Sequence, residues 1–373
     1  MRRITPLKAD FVIAGAGVIG LATAWELHRS GASVVVLDRG LAGREASWAG
    51  GGMLFPLSAW KYADAVTALT ELGRKLYPEW VAELKQATNI DPEYRETGLV
   101  VLPPADFERA RAWCAKRDLH ANLMVGADLS PLLSVHPQAL WLPHAAQVRN
   151  PRLLRALVTA LRARDVPVRE HCEIKEIMVA AGRATGVMTA QGPISAGTVI
   201  VCAGAWSRAL LGQYAEAADI FPVRGQMLLY KTAPGTLPAM LLQRDYYLIP
   251  RGDGHILAGS TKEHRGFENT TTAGAAAELH AAASAMLPVL AVVAPVGQWA
   301  GLRPGSPANI PIMAAHPRIE NLYLNSGHFR YGLTMAPAAA LVLANLIIGR
   351  PQPLETPAYA WPRVHQSVAA DIN

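Results

Sequence analysis

The chain has 373 residues, enough for two domains or one interleaved pair, and its 51% hydrophobic and 17% charged content excludes a disordered or low-complexity polypeptide. The net charge of +6 comes from 35 basic and 29 acidic residues with no Lys/Arg block, so it argues for anionic small ligands and not for nucleic acid. Cys114, Cys172 and Cys202 are scattered, giving neither a disulfide framework nor a metal-ligand spacing, and no metal is expected.

The N-terminus imitates a secretion signal, with Arg2 and Arg3 ahead of an apolar run. That run reads instead as the first strand of a nucleotide fold, and no apolar run reaches the roughly 20 residues a bilayer requires. A cytoplasmic protein without a transmembrane segment is therefore expected. Residues 11–14 form the short strand, which ends at Gly15-Ala16-Gly17-Val18-Ile19-Gly20. A helical stripe follows (Leu21, Ala24, Trp25, Leu27), closed by Gly31, then a second strand at 34–37 ending in Asp38. This strand, glycine turn, helix, strand and acid form a dinucleotide-binding fingerprint. Gly15 permits the tight turn, Gly17 lets a pyrophosphate approach the backbone, and Gly20 allows close helix packing. The helix N-terminus, with Val18 and Ile19 in its first turn, faces the phosphates. Asp38 would accept the ribose hydroxyls and speaks against a 2′-phosphate, although the adjacent Arg39 keeps NADP open. The fingerprint does not separate FAD from NAD.

Residues 40–56 are rich in small side chains. Ala49, Gly51 and Gly52 suit a backbone passing close to a flat ligand, Ser47 a phosphate oxygen, and Met53 an isoalloxazine ring. Ala65, Leu69, Leu72, Leu76 and Trp80 recur at steps of three and four, predicting a long helix over 60–88. A strand at 98–102 and a helix at 106–117 follow, then irregular, Pro-containing sequence over 130–144. His120, His136 and His144 have no metal spacing and are read as surface or core residues. Pro151 opens a helix over 152–164. Strands are expected at 166–169, 173–179 and up to 190. The strand within 198–207 ends at Ala203 and Gly204, entering a helix with Trp206, and brings a second strand end to the cofactor. Ile174 is placed either over an adenine or in ordinary core. Strands at 221–230, 248–251 and 255–261 and a helix at 272–287 predict an antiparallel-rich second domain. A strand at 321–326 and an apolar helix at 332–349 return to the first. The tail beyond Arg350 carries four prolines and reads as a surface extension. The expected architecture is α/β: a discontinuous Rossmann-type domain (1–60, 145–220, 295–360) interleaved with an antiparallel-sheet substrate domain (61–144, 221–294).

Four further motifs occur in order: ASWAGGGM at 46–53, CAGAWS at 202–207, GLRPGSP at 301–307 and GHFRYGLTMAP at 327–337. Together they resemble the FAD-dependent amino-acid oxidases of the D-amino acid oxidase superfamily, and most of all the bacterial glycine oxidases that serve thiamine thiazole synthesis. The resemblance implies FAD as cofactor, with a small amino acid and dioxygen as partners. It also implies that Arg303 pairs with the substrate carboxylate in bidentate fashion, that Tyr247 in YLIP donates to the same group, and that Met53 lies near the flavin. His328, Arg330, Tyr331, Gly332 and Leu333 would line the flavin's pyrimidine end. The residues carry their own reading beside it. Arginine is the planar fork donor a carboxylate needs, Arg330 is a second cation for the flavin or the pocket mouth, and Tyr246 is an alternative to Tyr247. Lys262 departs from the family's apolar residue; facing the pocket, it would favour a substrate with a second acid. The implied reaction is hydride transfer from an amino acid α-carbon to flavin, giving 2-oxo acid, ammonia and hydrogen peroxide. Orientation supplies most of the catalysis, and relatives of this kind are often homo-oligomers. A quinone-linked D-amino acid dehydrogenase, a tRNA-modifying oxidoreductase module and a non-catalytic nucleotide sensor are the alternatives.

Overall fold

A computed structural model describes residues 8–103 and 105–362. Its first sheet runs in the spatial order Ile312–Ala315, Leu322–Ser326, Gly192–Val201, Lys8–Ala14, Val34–Leu37, Val168–Arg169. The strand Lys8–Ala14 is central and parallel to both neighbours, and Val12, Ile13 and Ala14 are sealed from solvent on both faces. Such burial explains why the strand is uniformly apolar and does not alternate. An antiparallel hairpin, Ile174–Ala180 with Arg183–Thr189, extends the sheet beside Gly192–Val201. On one face Ile13 packs against Leu21, Trp25 and Leu343 from two helices. On the other, Val12 and Val35 meet Val199 and Leu322.

The second sheet runs Gly297–Gly305, Phe221–Lys231, His255–Gly259, Tyr246–Pro250, Met240–Gln243, Leu99–Val101, Ala139–Leu142, Asn122–Met124. It is antiparallel except where Met240–Gln243 meets Leu99–Val101. The helix Ala273–Met286 covers it through Leu279, Ala283 and Met286. The mixed α/β architecture expected from the sequence is the one observed.

Several elements lie differently from expectation. The stretch 130–144 contains the strand Ala139–Leu142, because pairing with Leu99–Val101 supplies hydrogen bonds that its flanking Pro137 and Pro143 do not interrupt. Within the expected surface extension beyond Arg350, the described residues 351–362 are docked, with Tyr359 and Trp361 buried and the Tyr359 hydroxyl donating to the Ala65 carbonyl at 2.7 Å, while residues 363–373 lie outside the described residues. The long helix Asp64–Thr88 buries Leu69, Tyr77, Trp80 and Leu84. Gly73 lets it close on the helix Gly332–Ile348, since a Cβ there would sit 2.0 Å from the Thr334 carbonyl oxygen. This helix therefore packs on the nucleotide-binding segments, while the strand Gly297–Gly305 pairs along its whole length with Phe221–Lys231 of the second sheet. The segment Phe329–Ile348 is long and apolar enough to cross a bilayer, but 72% of it is buried inside the fold. There it lies between the helices Val18–Arg29 and Asp64–Thr88.

Candidate active site

The glycine turn is built from close approaches. Gly15 adopts φ +111°, and a Cβ there would stand 2.5 Å from the Cys202 carbonyl oxygen. A Cβ on Gly20 would stand 1.9 Å from the Gly15 carbonyl oxygen, so Gly20 seats the helix on the turn itself. At Gly17 a Cβ would meet only the Ser47 hydroxyl, at 3.3 Å. Ser47 accepts the Val18 N–H at 2.9 Å, which leaves its own proton for a phosphate oxygen. Asp38 accepts the Ala16 N–H at 2.7 Å through one oxygen and the Gly40 N–H at 2.8 Å through the other. Each oxygen keeps a second lone pair for a ribose hydroxyl.

One cavity of about 400 Å³ collects the predicted residues. Every one of them except Gly20 lines it, from Gly15 and Asp38 through Ser47, Gly51 and Met53 to Tyr247, Arg303 and Leu333. At the nucleotide end the Arg39 guanidinium lies 3.8 Å over the Trp206 ring and pairs with Glu45 at 3.2 Å. Ile174 forms part of the wall beside Trp206. Lys262 is exposed and is not part of the lining.

The opposite end is cationic. Arg303 leaves the strand Gly297–Gly305 and crosses beneath Gly225, where a Cβ would collide with its guanidinium at 2.1 Å. Its Nη2 donates to the Ser260 hydroxyl at 2.7 Å, and its Nη1 to the Thr261 carbonyl at 3.1 Å. Among the described residues no carboxylate pairs with it. Burial pulls its pKa down, and the nearby Arg330 charge adds to the effect. Tyr247 stands close enough to interact with Arg303. Its hydroxyl faces the Met227 sulfur, a weak acceptor, at 3.4 Å and lies within hydrogen-bonding reach of the Arg303 guanidinium. Tyr246 points elsewhere, onto Glu278 at 2.5 Å. Of the two tyrosines, Tyr247 is the one that lines the cavity. Arg330 is held by Asp245 at 2.9 Å.

The small-residue loop is fixed by side chains that sequence reasoning did not find. Asn150 donates to the Ser47, Trp48 and Gly50 carbonyls at 2.7, 2.7 and 2.9 Å. Arg251 donates to the Gly51 carbonyl at 2.6 Å and to the Val148 carbonyl at 2.9 Å. Burial lowers the Arg251 pKa to about 10. Asn150 carried only a helix-start signal, and nothing local marked Arg251, Gly225 or Ser260.

His328 is 1% exposed and its Nε2 finds no partner among the described residues, although the residue borders the cavity. Burial pushes its pKa down to about 3, so the ring is neutral. The unfolded chain takes up a proton near pH 6.5 that the native imidazole refuses. Stability therefore falls as pH drops from about 6.5 toward 3, at about 1.4 kcal/mol per unit from this group. His328→Asn is expected to lose that component, which denaturant titrations of both proteins at pH 7 and pH 5 will read. Equal losses in the two proteins would refute the assignment.

Taken together, a glycine cradle, a helix N-terminus, a braced acid, an unpartnered buried imidazole and an unpaired guanidinium fit an elongated dinucleotide with an anionic small molecule at its far end. A family model described as FAD dependent oxidoreductase matches residues 10–346. The glycine oxidase of Pseudomonas putida is 44% identical over 357 residues, 94% of this chain and 98% of that protein. A bifunctional protein ThiO/ThiG of Synechocystis is 31% identical over 352 residues, 91% of this chain and 52% of that protein. The crystal structure of glycine oxidase from Bacillus cereus matches with a TM-score of 0.86 at 26% identity, covering 92% of this chain and 96% of that one.

Proposed function

This chain belongs to the FAD dependent oxidoreductase family, and on that premise we propose that it oxidises glycine and other small amino acids or amines, sarcosine and D-amino acids among them. FAD is its cofactor and amino acid oxidation its class of reaction. The products in this reading are a 2-oxo acid, ammonia and hydrogen peroxide, with glyoxylate from glycine. Similarity to ThiO/ThiG supports a place in thiamine thiazole biosynthesis, carried out in the cytoplasm.

The observation that carries the reading is Arg303, a guanidinium lining the cofactor cavity with no acid of its own. A substrate carboxylate takes its free N–H donors in a bidentate pair, and the Tyr247 hydroxyl donates to the same group. Gly225 and Ser260 hold the fork still, so the α-carbon is presented in one orientation. Phe55, Leu57 and Met227 line the same cavity and offer no strong partner to a polar side chain, which suits small substrates. The acids in the lining are Asp38, Glu45 and Glu173. They are engaged with backbone N–H groups, Arg39 and Lys175 respectively. None serves as a base at the cationic end, so the amine reacts in its neutral form. Bound FAD supplies the two-electron acceptor, which dioxygen reoxidises.

The test is hydrogen peroxide production by the purified FAD-loaded protein with glycine, sarcosine, D-alanine, D-aspartate and D-lysine. Peroxide with glycine or sarcosine supports the reading. Flavin bleaching under anaerobic conditions without peroxide in air would replace dioxygen with another acceptor.

A further inference from the structure

We infer that Asp245 sets the charge limit of the substrate site: by occupying Arg330 it confines the site to molecules with one carboxylate, and removing it admits dicarboxylates. The inference rests on the carboxylate site assigned to Arg303 above.

Two guanidinium groups line the same cavity, Arg303 and Arg330. They are near enough that the Arg330 charge disfavours the charged form of Arg303. Their situations differ. Among the described residues no carboxylate lies within ion-pair distance of Arg303, whereas Arg330 gives Nη1 to the Asp245 carboxylate at 2.9 Å. The pair is lopsided: the Arg330 side chain is 7% exposed and that of Asp245 is 74% exposed. The Arg330 Nε is buried and has no hydrogen-bond partner among the described residues. The cation thus belongs to the cavity wall, while its anion reaches in from the surface. Asp245 occupies a two-residue turn between Gln243 and Tyr246, which are paired across the hairpin, and Arg244 beside it adopts φ +57°.

The charge arithmetic follows. A bound monocarboxylate with a neutral amine carries one negative charge, which Arg303 matches, and Arg330 is already matched by Asp245. A second substrate carboxylate would find no free cation and would approach the Asp245 carboxylate, and juxtaposed like charges repel. Without Asp245, Arg330 offers a second planar fork to that carboxylate. The hairpin does not depend on Asp245 for its position, because Tyr246 anchors it to Glu278.

The experiment measures binding of acetate and malonate to the FAD holoenzyme by perturbation of the flavin spectrum, and peroxide formation with sarcosine and iminodiacetate. In Asp245→Asn the malonate-to-acetate affinity ratio is expected to rise by about tenfold or more. The iminodiacetate-to-sarcosine ratio of kcat/KM is expected to move with it. Asp245→Ser provides the same comparison should the amide variant fail to fold. Adding Arg330→Gln to Asp245→Asn is expected to abolish the gain, an outcome that a merely structural role for Asp245 does not produce. An unchanged ratio, or a parallel fall for both ligands, overturns the inference. A wild-type holoenzyme silent with every amine would defeat the proposed reaction, while the two binding ratios would still decide the role of Asp245.

Discussion

Arg303→Ala lowers kcat/KM for glycine or sarcosine by roughly 10²- to 10⁴-fold, the equivalent of about 3–5 kcal/mol for removing one partner of a buried, hydrogen-bonded charge pair. Much of the loss is expected in KM, because in the proposed reaction the guanidinium would hold the carboxylate before the chemical step as well as during it. Arg303→Lys recovers little of it: an ammonium is a point charge and cannot reproduce two parallel N–H donors. Gly225→Ala reaches the same result from the other side. The new methyl would meet the Arg303 guanidinium at 2.1 Å, and the neighbour that has to give is the fork itself. Steady-state peroxide formation against substrate concentration measures all three. A flavin spectrum retained in the variants separates substrate loss from cofactor loss. A KM within about threefold of the wild type in Arg303→Ala would remove this residue from the carboxylate site.

Gly15→Ala is expected to yield protein purified largely without flavin. An alanine at φ +111° carries strain of about 1–3 kcal/mol. Its methyl would also stand 2.5 Å from the Cys202 carbonyl oxygen, which is backbone and cannot swing aside. The turn must open, and with it the helix N-terminus and the Asp38 bond to the Ala16 N–H. The flavin-to-protein absorbance ratio and the dissociation constant for added FAD measure the effect, and about a hundredfold weakening is expected from the loss of roughly 3 kcal/mol. Full flavin content would mean that the turn tolerates the methyl.

The nucleotide end was legible because its information is local. The glycine turn, its strands and Asp38 lie within 29 consecutive residues, and each glycine answers a nearby atom. That Arg303 and Tyr247 line the cavity was expected from family resemblance and not from spacing, and only the fold shows that Tyr247, and not Tyr246, belongs to the lining. The supports of the site were not legible. Asn150 reaches the Ser47 carbonyl across 103 positions, and Arg251 reaches Gly51 across 200. No local pattern encodes such a bond. The strand Ala139–Leu142 was hidden by its prolines and exists because Leu99–Val101 offers it an edge. In the tail, Tyr359 and Trp361 decide the outcome and the prolines around them do not, since two buried aromatic side chains outweigh a composition that elsewhere marks a loop. Lys262, singled out as a departure, proves to be solvent-exposed, and the second charge near the pocket is that of Arg330.

The central position of Lys8–Ala14 has a consequence for biosynthesis. This strand is made before the other strands of its sheet, gains Val34–Leu37 soon afterwards, and then waits for Gly192–Val201 to cover its other edge. The cavity wall is complete only when Leu333 has emerged. No nascent chain that stops short of Leu333 can therefore complete the flavin cavity. Until then an apolar strand with an open edge must be kept from pairing with its neighbours on the polysome. Flavin capture thus waits until the segment through Leu333 has been made, and a shortage of flavin is expected to appear in cells as unloaded protein and not as stalled synthesis.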